Sequence, residues 1–147
     1  MFELIKGLFK TDQGDDAGID PQLAAAALMF EVVWADHDID DSEMQSMAAL
    51  LQDIFTLDQS RVNELVALTR ANHDASVGVF PFTRALNEQL DAQEKYLVLK
   101  AMWSIAYADA HIDAFEEHTI RRIADLLYVP HQRFIEAKRA ARAEREA

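Results

Sequence analysis

Two short acid-rich segments hold the residues of this chain whose types and spacing point to chemistry. Ala35-Asp36-His37-Asp38-Ile39-Asp40-Asp41-Ser42-Glu43 returns 73 positions later as Ala108-Asp109-Ala110-His111-Ile112-Asp113-Ala114-Phe115-Glu116, and both fit the frame Ala-Asp-x-x-Ile-Asp-x-x-Glu. Carboxylates clustered in this way suit hard divalent cations such as Ca²⁺ and Mg²⁺, which take several oxygen ligands. The first copy offers Asp36, Asp38, Asp40, Asp41 and Glu43. The second offers Asp109, Asp113 and Glu116 with His111 added, a mixture better suited to a transition metal. The candidate metal ligands common to both copies are Asp36, Asp40 and Glu43, then Asp109, Asp113 and Glu116. Neither loop is an EF-hand: counted from the first Asp, the required Gly is Asp41 or Ala114, and the required bidentate Glu is Met47 or Ile120.

A purely structural reading of the same residues stands beside the metal reading. Asp40 and Asp113 fit N-caps, and Glu43 and Glu116, three residues on, fit the returning acid of a capping box. Ile39 and Ile112 occupy the place of a hydrophobic staple, although the usual partner is Met44 in the first copy and Glu117 in the second. Asp36 and Asp109 are less easily explained. Each falls at the C-terminal end of a predicted helix, where the dipole disfavours an anion by about 0.3–1 kcal/mol. Either an Asx-turn or a cation shared with Glu43 or Glu116 would offset that cost.

The elements that must position these segments are helical. Asp20-Pro21 starts a helix that runs to about Asp36 and is apolar nearly all round, so it is expected to be central and buried. A second helix follows Asp40, with Met44, Met47, Leu51 and Ile54 on one face, and a third runs from about Asp58 to Ala71. After a break at 72–78, Phe80-Pro81-Phe82 leads a short helix. Asp91 to Asp109 is the twin of the first central helix, and Asp113 to Tyr128 is the twin of the second. Pro130 starts the last helix. No segment alternates with period two for long enough to make a strand. The prediction is an all-α, multihelical single domain over 20–147, built from two helical pseudo-repeats (about 20–73 and 91–147) around two central buried helices.

Composition narrows the possible functions. At 147 residues, half of them apolar, the chain is about one domain. There is no cysteine, which excludes disulfides, thiolate catalysis and cysteine-ligated metal centres. Residues 119–147 carry seven Lys/Arg against four Asp/Glu, a net of +3, which leaves −15 of the total −12 on the rest. Such a body repels nucleic acid and attracts cations or basic partners. No Gly-rich phosphate loop, nucleophile elbow or His-Glu-x-x-His motif occurs, and the five histidines form no pair at a telling interval. Each His is read as a surface or capping residue, and Trp34, Trp103 and Tyr107 as core.

The N-terminal 19 residues read as an amphipathic segment and a linker. Phe2, Ile5 and Phe9 cover one side of the segment, with Lys6 and Lys10 beside them. Docking on its own body is the favoured reading. Weak membrane-surface association through residues 1–10, or binding to a partner, are the alternatives. Met1–Phe9 lacks the basic start and cleavage site of a secretory signal, and the longest apolar run is too short to span a bilayer. A soluble, cytoplasmic protein is expected.

The paired motifs, with Phe80-Pro81-Phe82-Thr83-Arg84, Trp103-x-Ile105-Ala106-Tyr107-Ala108-Asp109 and Arg121-Arg122-Ile123-Ala124-Asp125-Leu126-Leu127-Tyr128-Val129-Pro130-His131, resemble the bacterial tellurite-resistance TerB family over about residues 20–140. The resemblance implies an all-helical two-repeat fold. It also implies a cytoplasmic protein of tellurite resistance or membrane stress, whose shared acids are suspected metal ligands. Similar domains stand beside J-domains in membrane-anchored co-chaperones and look like interaction modules. One departure is that family members often have Gly after the Ala-Asp pair, where this chain has His37 and Ala110. His tolerates a left-handed backbone better than Ala, so the second loop is expected to differ in shape from the first. The expected function is therefore that of a non-enzymatic module with a protein partner. Its acids either bind a divalent ion or shape an acidic docking surface; alternatively they are only helix caps of an adaptor.

Overall fold

The computed structural model describes residues 19–35, 39, 41–73, 78–109 and 114–146, with the backbone alone at 109 and 146. The N-terminal amphipathic segment and most of its linker lie outside the described residues. Seven α-helices and one 3-10 turn are present among those described, and no strand. They are α1 (Pro21–Trp34), α2 (Asp41–Phe55), α3 (Gln59–Asn72), α4 (Phe80–Gln89), α5 (Ala92–Ala106), the 3-10 turn Tyr107–Asp109, α6 (Ala114–Leu126) and α7 (His131–Glu146). None of these helices is long and apolar enough to cross a membrane.

The two central helices are buried because their sequences leave no polar stripe. Between Leu23 and Val33 of α1 only Ala27 and Glu31 keep partial exposure, and α5 buries Val98, Leu99, Ala101, Met102, Trp103, Ile105 and Ala106. A helix apolar all round has to be covered all round. Accordingly α1 packs against α2, α3, α4, α5 and α6, and α5 packs against α1, α2, α6 and α7. One cluster runs through both, from Phe30 and Met29 to Met102 and Trp103. A smaller one, of Leu23, Leu65 and Leu68, joins the start of α1 to α3.

The helix starts follow the expected chemistry. Asp20 Oδ1 accepts the Gln22 N–H at 2.7 Å with Pro21 in the first turn, and Asp58 Oδ1 accepts the Arg61 N–H at 2.9 Å. Arg61 then reaches back across 39 residues to Gln22 Oε1 at 3.1 Å, tying α3 to the start of α1. Ahead of α5, Asp91 Oδ1 accepts the Glu94 N–H at 2.8 Å while Glu94 Oε1 accepts the Asp91 N–H at 2.9 Å, a complete capping box on an exposed corner. Asp91→Ala is expected to cost about 1 kcal/mol. A urea titration should show a lower midpoint at unchanged slope, with Asp91→Ser close to the parent.

The two motif helices match in detail. From Asp41 to Met47, and from Ala114 to Ile120, the order of exposed, half-buried and buried positions is the same. Each helix ends with a left-handed residue that is not glycine, Thr56 at φ 54° and Tyr128 at φ 59°. The next N–H bonds back five residues, Leu57 to the Gln52 carbonyl at 3.1 Å and Val129 to the Ala124 carbonyl at 3.0 Å. This is the closure helices favour when the chain must turn sharply, although a side chain in that backbone region costs about 1 kcal/mol.

Candidate functional site

The described part of the repeated motif is dominated by two buried glutamates. Helix α2 begins immediately after Asp40 and α6 immediately after Asp113, so Glu43 and Glu116 are each the third residue of a helix. That is the position the capping-box spacing predicts. Their exposure is not what capping predicts. Glu43 is 2% exposed and Glu116 3%, whereas Glu94, which holds the same third position in the capping box of α5, is exposed. Capping therefore does not by itself require burial.

Placement explains the burial. Both α2 and α6 pack against both central helices, and Glu43 and Glu116 lie on the inward face of each helix, one turn before buried Met47 and Ile120. A carboxylate there gives up hydration worth several kcal/mol unless it is met by N–H groups, a helix N-terminus or a cation. The first-turn N–H groups and the helix dipole supply part of that compensation. Neither glutamate is isolated in the fold.

An aromatic platform leads into each motif. Phe30 and Trp34, four residues apart on α1, stack with centroids 6.5 Å apart, and Trp103 and Tyr107 hold the same spacing 73 residues later at 6.3 Å. A third ring closes each set edge-on: His73 lies 4.9 Å from Phe30 and 5.3 Å from Trp34, and Phe134 lies 5.3 Å from Trp103. Trp103 is fully buried, while Trp34 and Tyr107 are half-buried where the chain leaves the core toward the acids. Rings fixed at the last turn restrict where the following acidic loop can start.

The second motif begins as a 3-10 turn. Tyr107–Asp109 tightens the end of α5, and the turn packs against α2 and α7. The helix that carries the first motif's Glu43 is thus in contact with the turn that ends at the second motif's Asp109, a contact that no local feature of the sequence announces. Asp36, Asp40 and Asp113 lie outside the described residues, as do His37, Asp38, His111 and the side chain of Asp109. Among the described residues no three His, Asp or Glu side chains gather as a metal-holding group. Asp41 stands exposed at the first position of α2.

One pairing adds to the sequence reading. His73 is a capping residue, the C-cap of α3. Its Nε2 also sits 3.0 Å from Glu31 Oε2, both partly buried, joining the end of α3 to the last turns of α1. The residues are 42 positions apart, and only the packing of α3 on α1 makes them neighbours. The one usable hint is that Glu31 is the sole charged residue in an otherwise apolar helix, and so needs a partner.

A family model described as "Tellurite resistance protein TerB" matches residues 22–139. No curated protein and no solved structure gave a match.

Proposed function

Because the chain belongs to the TerB family, we propose that it is a non-enzymatic helical module of the tellurite or membrane-stress response, which takes up a divalent cation through its repeated acids and presents a partner-binding surface in consequence. The observation that carries this reading is the burial of Glu43 and Glu116 beside the exposure of Glu94 at the same helical position. Three glutamates could cap equally well, and only the two in the repeated motif are withdrawn from water. Withdrawn carboxylates favour a hard cation that replaces the lost hydration, with Asp36 and Asp40, or Asp109 and Asp113, supplying further oxygens. A bound ion would join the end of each central helix to the start of the next and stiffen that connection. Tellurite is an anion and the body is strongly acidic, so tellurite itself is a poor ligand for these acids.

The test is calorimetric titration of metal-stripped protein with Ca²⁺, Mg²⁺, Mn²⁺ and Zn²⁺, beside the variant Asp36→Asn, Asp109→Asn. Micromolar binding by the parent and its loss in the variant is the expected result. Trp34 fluorescence gives an independent readout, because that ring is half-buried two residues before Asp36. Heat from no ion at all would leave a second reading, an interaction adaptor whose acids are only caps. The third-residue placement of Glu43 and Glu116 favours that reading.

A further inference from the structure

The two motif helices do the same structural work with the same buried face, so a difference confined to their solvent faces is not required by the fold. At the offset of 73, buried Glu43, Met47 and Leu51 of α2 correspond to buried Glu116, Ile120 and Ala124 of α6. The outward positions diverge. Exposed Ser42, Gln45 and Ala49 of α2 correspond to Phe115, His118 and Arg122 of α6, and half-buried Ala48 to Arg121. Small and neutral residues have been exchanged for an aromatic ring, an imidazole and two guanidinium groups, all four of them exposed.

Folding stability gives a reason for Arg121 but not for the other three. Phe115 is 66% exposed, so its ring stays in water. Arg122 and His118 meet no charged partner among the described residues; Arg121 reaches Glu117 at 3.6 Å and lies 5.0 Å above the Phe134 ring. The two arginines and the imidazole rim a shallow groove of about 270 Å³ whose other walls are Asp125 and Leu126. Exposed arginine beside an exposed aromatic is the composition of an interface centre rather than of an idle surface.

We propose that this outward face of α6 is a docking surface for an acidic protein segment, one that sets carboxylates on Arg121 and Arg122 and separate apolar side chains against Phe115 and Leu126. Charge selects the occupant. The groove's own walls set two guanidinium groups and the His118 imidazole against one carboxylate, Asp125, on a chain of net charge −12. An acidic segment is repelled by the rest of the molecule and is steered to this groove. An anionic bilayer fits less well, because a flat sheet would bring that body within a Debye length, about 10 Å at 0.1 M salt, of a like-charged surface. The surface does not depend on the motif acids holding a cation.

The test uses a short fluorescein-labelled amphipathic peptide of Glu and Leu, its Lys and Leu counterpart, and phosphatidylserine vesicles, with the full chain in chelator so that no divalent ion takes part. The variant is Phe115→Ser, His118→Gln, Arg122→Ala, which gives α6 the residues α2 carries at the same exposed positions and so preserves the fold. Fluorescence anisotropy should show the parent binding the acidic peptide and not the basic one, weakening as salt is raised. The variant should bind roughly tenfold or more weakly at an unchanged melting temperature. No binding of the acidic peptide by the parent, or equal binding by the variant, would overturn the proposal. So would vesicle binding, or self-association in sedimentation, that the variant abolishes in place of peptide binding.

Discussion

In the double variant Glu43→Gln, Glu116→Gln, saturating divalent cation is expected to raise the melting temperature no further than it does for a protein without a site. For the parent, an ion that binds only the folded state at a hundred times its dissociation constant adds about 2.7 kcal/mol. In a domain of this size that corresponds to a rise of roughly 5–10 °C. Gln keeps the length, the burial and one carbonyl acceptor of Glu, so any capping bond to a first-turn N–H survives. It removes the charge, which is what a hard cation requires. The variant therefore separates the two readings that share these residues. A cap-only glutamate predicts nearly the same metal-free stability for parent and variant and no response to ions in either. A ligand predicts a cation-dependent rise in the parent alone. An equal rise in both would mean that the ion sits elsewhere, and the metal reading of Glu43 and Glu116 would fail. Scanning calorimetry with and without chelator is sufficient to decide.

Trp103→Ala should cost about 3–5 kcal/mol, a large share of the roughly 5–15 kcal/mol that holds a domain folded. Trp103 is fully buried on α5, with Phe134 of α7 edge-on at 5.3 Å, Tyr107 at 6.3 Å and the Lys138 ammonium 5.0 Å from its ring. It joins the packing of α5 on α7 to the turn that starts the second motif. Truncation leaves a cavity that two helices cannot both collapse into. Trp103→Phe is expected to be much milder, because its indole Nε1–H has no hydrogen-bond partner among the described residues and removing that donor strands no acceptor. Far-ultraviolet circular dichroism during urea unfolding would rank the two variants. Near-equal stabilities for Ala and Phe would show that the platform does not hold the corner.

What this sequence determined by itself is what depends on neighbours along the chain. Asp20-Pro21 and Asp58 announced two helix starts through a cap oxygen and a preset backbone angle, and both helices begin there. The apolar content of Leu23–Val33 and Val98–Ala106 required full burial, and α1 and α5 are the central pair. The spacing of Glu43 from Asp40, and of Glu116 from Asp113, placed each glutamate at the third position of a helix. The motifs resembled TerB, and the family match over 22–139 agrees.

What only the tertiary structure decided is what those residues face. A capping-box spacing reads the same for Glu94 as for Glu43, yet one lies in water and the other on the buried face of α2, the helix that packs on α1 and α5 together. The approach of α2 to the turn ending at Asp109, and of His73 to Glu31, arises from helix packing across tens of residues, for which no periodicity carries a signal. The exposed Phe115 also reads as core by type, since an apolar side chain in an amphipathic helix is inward by default. It stands outward because burying Glu116 turns the preceding residue away from the core, roughly 100° around the helix.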